Sequence, residues 1–416
     1  MSSHPRRLWM RRLAVAGLLV AATLLAACGQ AAAVHRPLRP TPAIPTATPI
    51  PPTPAPTVTP APARPLQWQA RTVPAPFTAE TGNSGVALTL SPIHSALVWA
   101  CAPQGKQARV WVSHDLARTW QAVSGMTYDY AITGCWITAD DLRPDTAVLQ
   151  AFISLGQCCD RGPFPMRITT DGGQTWAPLA GPEDTVRQIA TFRGALYAIF
   201  ARHFMDLAPL KSEFVISADG GQTWKSMDSK LATPNELPTL AGFVTQFWIN
   251  PATGAMLAHT GAATVWMDHF LASGDGGATW RDLQAPQADD FLVRTPFAAG
   301  PWEICGFRQS NSSAHPSWNN TMPCTLDGGA TWQTRTITPI RDAFAIANDG
   351  SVLGETGSRL ERLTPSGRDW QTLGPLNEIW MPPTAYVAGS GAGVLWNVPA
   401  WSGPATGSTV YVASYP

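Results

Sequence analysis

The chain has 416 residues, of which 45% are hydrophobic and 13% are charged, and its formal net charge at pH 7 is zero. A chain with this balance of positive and negative charges lacks the basic surface that nucleic-acid binding requires, so nucleic acid is excluded from the expected partners. The length exceeds what one ordinary hydrophobic core serves, whereas a repeat architecture accommodates it without division into domains.

Residues 1–27 have the features of an export signal. Four arginines between Arg6 and Arg12 precede an apolar run over residues 13–27, which is shorter than the roughly 20 residues that a membrane-spanning helix needs. The run ends in Leu25-Ala-Ala-Cys28, which resembles the lipobox of bacterial lipoproteins. The resemblance implies cleavage before Cys28, acylation of its sulfur, and an extracytoplasmic protein whose lipid anchor binds a membrane. The alternative is an ordinary secretory signal with an incidental cysteine.

Residues 28–65 form a linker of Pro, Thr and Ala. Its twelve prolines exclude a packed core and favour an extended polyproline helix of about 3.1 Å per residue, so the linker reaches on the order of 100 Å. We interpret it as a stalk between the lipid anchor and a folded domain. A proline-rich ligand for another domain is the alternative.

From residue 66 to 416 a motif of the form Ser/Thr-x-Asp-x-x-x-Thr-Trp recurs about every 50 residues, which is typical of repeat architectures. The segments between its copies are strand-like, with no useful helical periodicity. Four antiparallel strands per period describe one blade of a β-propeller. The five clear copies carry these pairs: Asp115 and Trp120, Asp171 and Trp176, Asp219 and Trp224, Asp275 and Trp280, Asp327 and Trp332.

The number of blades depends on degenerate copies. Residues 362–370 keep the tryptophan as Trp370, and the final segment 409–414 matches the strand that precedes the first motif. Residues 66–73 resemble the strands that follow the motif tryptophans. We therefore predict an all-β fold, a seven-bladed propeller whose N-terminal strand completes the last blade and removes an exposed sheet edge. Six blades are the alternative, if the last 40 residues cap the ring.

The motif residues are predicted to be structural. An aspartate after the third strand accepts hydrogen bonds from the amides of its own turn, and glycines allow positive φ there. The threonine adds a side-chain hydrogen bond, and the tryptophan places its ring between adjacent sheets. Because the spaced acidic ligands of a calcium loop are absent, we expect no metal, and we expect no other cofactor.

The motif resembles the Asp-box, or BNR repeat, which occurs in sialidases and in photosystem II assembly factors. The resemblance covers most of residues 66–416 and implies a propeller, but unrelated activities share that scaffold. Sialidase chemistry needs three arginines, a tyrosine with a glutamate, and an aspartate. The Arg167-Ile168 dipeptide stands on a third strand rather than a first one, and the best tyrosine–glutamate pair is Tyr386 with Glu378. We assign no catalytic residue.

The expected function is that of a non-catalytic platform that binds a protein or a glycan, acting as a monomer. The alternative is an exported glycoside hydrolase of the sialidase-like propeller type, which needs two carboxylates about 5–10 Å apart on the ligand face. Carboxylates that are candidates for such a pair are Asp140, Asp141, Asp206, Asp268 and Glu303.

The loops from second to third strands are long and carry aromatic side chains suited to stacking on sugars or anchoring a protein. The candidate ligand face consists of Phe164, His203, Phe204, Trp266, His315, Trp318 and Trp401.

Six cysteines remain if Cys28 is acylated, an even number that suggests disulfides in an exported protein. Cys305 and Cys324 fall on neighbouring strands of one repeat and are predicted to pair. Two more bridges are expected among the other four, with open connectivity: Cys101, Cys135, Cys158 and Cys159.

Overall fold

The fold is known from a computed structural model, which describes the protein in the following ranges: 68–72, 87–90, 96–132, 134–152, 166–182, 185–201, 212–227, 231, 244–262, 265–286, 288, 290–294, 301–307, 320–338, 342–346, 350–356, 359–375, 394–397 and 409–414. All of these residues belong to one compact unit, Ala61–Pro416. The predicted signal, Cys28 and the linker lie outside the described residues.

The described residues form 27 strands in seven small antiparallel sheets, numbered here along the chain. Sheet 1 contains β2 (Ala87–Leu90), β3 (Val98–Gln104), β4 (Gln107–Ser113) and β5 (Gln121–Thr127). Sheet 2 contains β6 (Gly134–Ala139), β7 (Ala147–Phe152), β8 (Met166–Thr169) and β9 (Ala177–Leu179). Sheet 3 contains β10 (Thr185–Phe192), β11 (Ala195–Ala201), β12 (Ser212–Ser217) and β13 (Lys225–Ser226). Sheet 4 contains β14 (Val244–Ile249), β15 (Met256–Ala262), β16 (Val265–Ser273) and β17 (Arg281–Asp282). Sheet 5 contains β18 (Asp290–Val293), β19 (Ile304–Phe307), β20 (Thr321–Thr325) and β21 (Gln333–Thr336). Sheet 6 contains β22 (Asp342–Ile346), β23 (Val352–Thr356), β24 (Arg359–Leu363) and β25 (Gln371–Pro375).

Sheet 7 joins the two ends of the folded unit. It contains β26 (Val394–Asn397), β27 (Thr409–Ser414) and β1 (Trp68–Thr72) in the order β1-β27-β26. β1 runs antiparallel to β27, with Trp68 opposite Ala413 and Thr72 opposite Thr409. The predicted pairing of the first strand with the last is therefore confirmed. The fourth strand expected before β26 falls outside the described residues.

Hydrophobic cores lie between consecutive sheets. The strands alternate with period two, so each sheet has two apolar faces. In β10, for example, Ile189 packs toward sheet 2 and Ala190 packs toward sheet 4. Five such cores join sheets 1 and 2, 2 and 3, 3 and 4, 4 and 5, and 5 and 6. The first strands are also neighbours, since β6 lies against β2 and β10, and β10 lies against β14.

Strand order defines two edges in each four-stranded sheet. At one edge, connections join the first strand to the second and the third strand to the fourth. We call this the turn edge, because the repeated motif lies there. At the other edge, connections join the second strand to the third and the fourth strand to the next sheet. We call this the crossover edge. The parallel bridge between Asp140 and Ile189 shows that the first strands of sheets 2 and 3 run in the same direction.

Two disulfides are present among the described cysteines. Cys305 and Cys324, the pair that the sequence predicts, face each other on β19 and β20. Cys101 on β3 is bonded to Cys135 on β6 and so joins sheets 1 and 2. Disulfides are typical of exported proteins, which agrees with an extracellular location. Cys158 and Cys159 lie outside the described residues. Within the part of the chain that the structure describes, no helix has the length and apolarity to cross a membrane.

Candidate functional site

The motif aspartates hold their own turns together. In the third turn, Oδ1 of Asp219 accepts hydrogen bonds from the Ser217 hydroxyl (2.7 Å) and from the amides of Gln222 (3.1 Å) and Thr223 (2.9 Å). Oδ2 accepts from the Thr223 hydroxyl, and the Ser217 oxygen in turn accepts from the amide of Gly221. Equivalent bonds to aspartate and to the Ser or Thr two residues before it recur in the other four turns.

These hydrogen bonds stabilise the ionised carboxylate. The hydroxyl of Thr175, then its amide, then the hydroxyl of Thr169 hold the pKa of Asp171 at about 2, below the usual 3.8. The Thr331 hydroxyl and amide act in the same way on Asp327. A charged carboxylate whose lone pairs are occupied by its own turn is a poor proton donor or nucleophile. The turn aspartates are thus structural groups.

The motif tryptophans connect each turn to the preceding sheet. Nε1 of Trp176 donates to the carbonyl of Ser124 on β5 (2.6 Å). The corresponding bond of three other tryptophans reaches a carbonyl on or just after the fourth strand of the preceding sheet: Trp224, Trp332 and Trp370. Trp280 differs, because it donates to Gly277 in its own turn. The rings are half-buried. They pack against the cores between sheets, as predicted: Trp176, Trp224, Trp280, Trp332 and Trp370.

The first turn shows what the glycines do elsewhere. Where the other turns have glycine pairs at positive φ, this turn has Leu116 (φ 58°) and Ala117 (φ 60°). Side chains other than glycine are disfavoured there by roughly 1–2 kcal/mol per residue. The aspartate, serine and threonine bonds of this turn are nevertheless intact. The polar contacts therefore determine the conformation of the turn, and glycine only lowers the strain of its backbone.

Most of the predicted ligand face lies outside the described residues, and it stays a prediction. This applies to Phe164, His203, Phe204, His315, Trp318 and Trp401. Trp266 is the second residue of β16 rather than part of a loop, and it lies near the crossover edge of sheet 4. Tyr386 and Glu378 also lie outside the described residues.

The candidate carboxylates lie mainly on the wrong edge for a catalytic pair at the ligand face. Asp140 and Asp141 follow the first strand of sheet 2, and Glu303 precedes the second strand of sheet 5, so all three are at the turn edge. Glu303 is paired with Arg294 at 2.6 Å. These three candidates therefore lie away from the edge of the candidate ligand face, because the first connection of each sheet is at the opposite edge. Asp206 lies outside the described residues, and Asp268 is within β16.

Asp140 is a buried structural group. Its Oδ1 accepts from the amides of Leu142 (2.8 Å), Arg143 (3.0 Å) and Thr191 (3.0 Å), and its Oδ2 accepts from the Thr191 hydroxyl. It thereby ties the first connection of sheet 2 to β10. Asn250 has the same role after β14, accepting from the amides of the second and third residues that follow it. The sequence signal for both Asp140 and Asn250 is a polar residue directly after the first strand of a sheet.

Asp141 belongs to a polar link across three sheets. The side-chain nitrogen of Gln188 on β10 donates to Asp141 Oδ2 (2.6 Å) and to the carbonyl of Phe247 on β14 (2.6 Å), while its oxygen accepts from the Phe247 amide (3.0 Å). Burial, followed by repulsion from Asp140, raises the pKa of Asp141 to about 8 against the Gln188 hydrogen bond.

The crossover edge of sheets 1 and 2 presents a different set of side chains. The segment that leads from sheet 1 to sheet 2 is attached to the β3–β4 hairpin, since the Tyr128 amide donates to the Lys106 carbonyl (2.9 Å) and Lys106 Nζ donates to the Asp129 carbonyl (2.8 Å). Tyr130 stacks on Tyr128 with ring centroids 6.0 Å apart. Trp136, near the start of β6, is 46% exposed, whereas the motif tryptophans are half-buried.

Two of the buried side-chain donors that have no hydrogen-bond partner belong to residues near this edge. They are the hydroxyl of Tyr128, whose residue is 7% exposed, and Nε of Arg167, the second residue of β8. Arg167 is close enough for its charge to act on Tyr128, and burial still raises the pKa of that phenol to about 12. The sequence indicated this edge but not these residues, because Tyr128 lies in the segment after β5 whereas Arg167 lies on β8 of the next sheet. In the described ranges no group of three His, Cys, Asp or Glu side chains is arranged to hold a metal.

No protein-family model matches the chain, and no curated protein matches it either. Two solved structures are similar to it at 9% identity. One is the polysaccharide lyase Uly1, with a TM-score of 0.47 over 80% of this chain and 90% of that one. The other is Zg3597, a family 117 glycoside hydrolase of the marine bacterium Zobellia galactanivorans, with a TM-score of 0.34 over 84% and 90%. Likeness at this level carries no conclusion about activity.

Proposed function

We propose that the chain is an extracytoplasmic lipoprotein, anchored through Cys28, whose folded part is a non-catalytic binding platform. In this proposal the seven sheets are blades of one Asp-box propeller, and β1 completes the last blade. Support comes from the cores between consecutive sheets, from the neighbouring first strands, and from the pairing of β1 with β27.

The observation that carries the proposal is the contrast between the two edges. All five repeated carboxylates accept hydrogen bonds from their own turns, whereas the crossover edge of sheets 1 and 2 carries Tyr130, Trp136 and Arg167. Tyrosine, tryptophan and arginine are the side chains most enriched at energetically important positions of protein interfaces. The platform therefore binds a protein or a glycan at the crossover edge.

A sialidase-like glycoside hydrolase is less well supported. Asp140 and Asp141 are adjacent carboxylates, but the former accepts four hydrogen bonds and both lie at the turn edge. A hydrolase of this type needs an acid and a second carboxylate on the sugar-binding face.

The proposal is tested with the full-length chain in its own membrane. Acylation at Cys28 predicts incorporation of a labelled fatty acid that Cys28→Ala abolishes. A triple variant, Trp266→Ala with Trp318→Ala and Trp401→Ala, is expected to lose binding to the glycans and proteins that wild type captures on arrays and in pull-downs. Unchanged binding by the triple variant, or hydrolysis of glycosides by the purified chain, would contradict the proposed platform.

A further inference from the structure

A cavity of about 270 Å³ lies on sheet 1, between its third strand β4 and its fourth strand β5. Its walls include Gln107, Arg109 and Trp111 from β4, and Ala122 and Thr127 from β5. Most of these residues are exposed, so the cavity is open to solvent. Because Gln107 begins β4 and Thr127 ends β5, the cavity reaches the crossover edge, where the proposed platform binds its ligand.

One wall of the cavity is a row of three large side chains on β4. Ala108 and Val110, which alternate with them, pack in the core between sheets 1 and 2. Since successive strand residues point to opposite faces, Gln107, Arg109 and Trp111 project from the other face of the sheet. The row therefore presents an amide, a guanidinium and an indole at intervals of about 7 Å.

The opposite wall, on β5, is made of small residues. Ala122 is directly opposite Trp111. Next to this pair is a β-bulge, in which Arg109 faces two residues of β5, Ser124 and Gly125, instead of one. A Cβ at Gly125 would collide with the backbone of β4, so the bulge requires glycine. The cavity thus lies where small residues of β5 oppose large side chains of β4, beside a bulge of the kind that often borders binding sites.

The side chains of the lining determine which group fits. The amide of Gln107 and the hydroxyl of Thr127 both donate and accept hydrogen bonds, whereas the guanidinium of Arg109 only donates. The surface at Trp111 and Ala122 is apolar. An apolar group would displace water from the polar side chains without replacing its hydrogen bonds. A lone carboxylate or phosphate would leave the apolar surface uncovered.

A hexopyranose ring matches both parts of the lining. Its hydroxyl groups donate and accept hydrogen bonds around the ring, and its C–H groups give it apolar faces. The volume agrees with one ring, because ligand cavities usually span about 300–1,000 Å³ and this cavity has about 270 Å³. A protein interface takes about 20–30 residues from each partner, which is far more than this cavity offers.

We infer that the cavity binds one hexopyranose unit of a glycan, an assignment that rests on the proposed binding function and specifies its ligand. The edge of the ring lies toward Gln107, Arg109 and Thr127, which exchange hydrogen bonds with its hydroxyl groups. One face of the ring lies toward Trp111. The rest of the glycan continues past Thr127 along the crossover edge.

The direct test measures the binding of methyl glycosides to the full-length chain in detergent by ligand-observed NMR. The probes are the methyl β-glycosides of glucose, galactose, N-acetylglucosamine and glucuronic acid, and we expect at least one of them to bind saturably. Ala122→Leu fills the cavity from the side of β5 and should weaken that binding at least tenfold. Ala177→Leu, at an exposed alanine of β9 in sheet 2, is the matched control and should bind as wild type.

Variants of the polar lining separate recognition from simple filling of the cavity. Arg109→Met and Thr127→Val remove hydrogen-bonding groups at nearly constant size, and each should weaken binding at least threefold. Arg187→Met and Thr336→Val, at an exposed arginine of β10 and an exposed threonine that ends β21, should bind as wild type. Because all the replaced side chains are exposed, urea midpoints should stay at the wild-type value, which distinguishes lost binding from lost folding.

Two probes that are not sugars test the assignment to a sugar. Cyclohexanol has a six-membered ring without the set of hydroxyl groups, and acetate has a negative charge without the ring. If either binds as tightly as the best glycoside and depends equally on Ala122 and Arg109, the site takes an apolar ring or an anion and the inference is wrong. Wild-type binding in Ala122→Leu, or no saturable binding by any glycoside, also overturns it.

Failure of this cavity and failure of the platform give different results. If no glycoside binds but the Trp266/Trp318/Trp401 variant still loses captured ligands, the cavity fails while the proposed platform stands. If the glycosides bind with the expected dependence on Ala122 and Arg109 while that triple variant captures its ligands as wild type does, the cavity stands and the candidate ligand face fails.

Discussion

The turn edge and the crossover edge of the sheets differ in how their polar groups are satisfied. At the turn edge, each motif carboxylate accepts bonds from residues within four positions of it, and the tryptophan connects the turn to the sheet before. At the crossover edge of sheets 1 and 2, two buried donors have no partner and a tryptophan is half-exposed. The contrast teaches that repeated acidic residues stabilise this fold, whereas unrepeated aromatic and cationic residues are its candidates for recognition.

The covalent link at the crossover edge should give the largest change in stability. Replacing both Cys101 and Cys135 with alanine opens a loop of 34 residues, which corresponds to about 4 kcal/mol of lost unfolding free energy. The matched pair Cys305→Ala and Cys324→Ala opens 19 residues and should cost about 3 kcal/mol. Urea denaturation of both double variants measures the difference. An equal or reversed order would break the view that the first bridge holds two sheets together.

The tryptophan at the turn edge comes next in size. Trp224→Ala removes the edge-to-face contact with Phe200 (5.0 Å between centroids) and the bond to the Ala180 carbonyl, so we expect a loss of about 3 kcal/mol. Trp224→Phe keeps much of the ring contact and should lose about 1 kcal/mol. Thermal and urea unfolding of the two variants test this. Wild-type stability in Trp224→Ala would mean that the turn does not hold the preceding sheet.

The pH dependence of stability should separate two kinds of aspartate. The turn aspartates have lowered pKa values, so their contribution is present above about pH 4 and is lost as the pH falls through about 2. Asp141 has a raised pKa of about 8, so the folded state holds its proton more tightly and stability falls as the pH rises from about 4 to 8. Buried Asp140, whose pKa is also raised, acts in the same direction.

Asp141→Asn should flatten the decline between about pH 4 and 8 and leave the loss at lower pH intact. Unfolding free energies measured from pH 2 to 9 for wild type and this variant check the expectation. A decline of unchanged slope in Asp141→Asn would exclude Asp141 as its source. Asp219→Asn is the control, since it should affect only the acidic limb.

Backbone strain in the turns should give the smallest effect. Gly220 has φ +72°, and no atom lies within 4 Å of the position that an alanine Cβ would take there, so Gly220→Ala adds only the conformational penalty of about 1 kcal/mol. Gly221→Ala should cost more, because its Cβ would clash with Leu179 Cδ1. Urea midpoints of the two variants give the order. Equal losses would show that crowding against sheet 2 is unimportant.

Features that repeat or lie close along the chain could be predicted from the sequence. The motif aspartates bond to residues two to four positions away, so their role follows from local turn chemistry. The pairing of β1 with β27 was predictable because both segments match strands of complete repeats. Cys305 and Cys324 were predictable for the same reason, as each occupies a known strand of one repeat.

Contacts between sheets were beyond sequence reasoning. Gln188 reaches Asp141 and Phe247, 47 and 59 residues away, and nothing repeats in other sheets to reveal that link. Tyr128, in the segment after β5, and Arg167, on β8, are likewise far apart along the chain, and their side-chain donors are buried without a partner. The sequence also left open the edge to which Asp140 and Asp141 belong, because that edge depends on the direction in which the chain runs through each sheet.

Site-specific photo-crosslinking in producing cells tests the distinction between the edges most directly. A photoreactive phenylalanine is placed at Tyr130 or Trp136 on the crossover edge, and at the exposed Gln174 or Gln222 on the turn edge. Covalent adducts with a discrete partner are expected from Tyr130 and Trp136, and none from Gln174 or Gln222. Adducts formed from Gln174 or Gln222, with none from Tyr130 or Trp136, would contradict it.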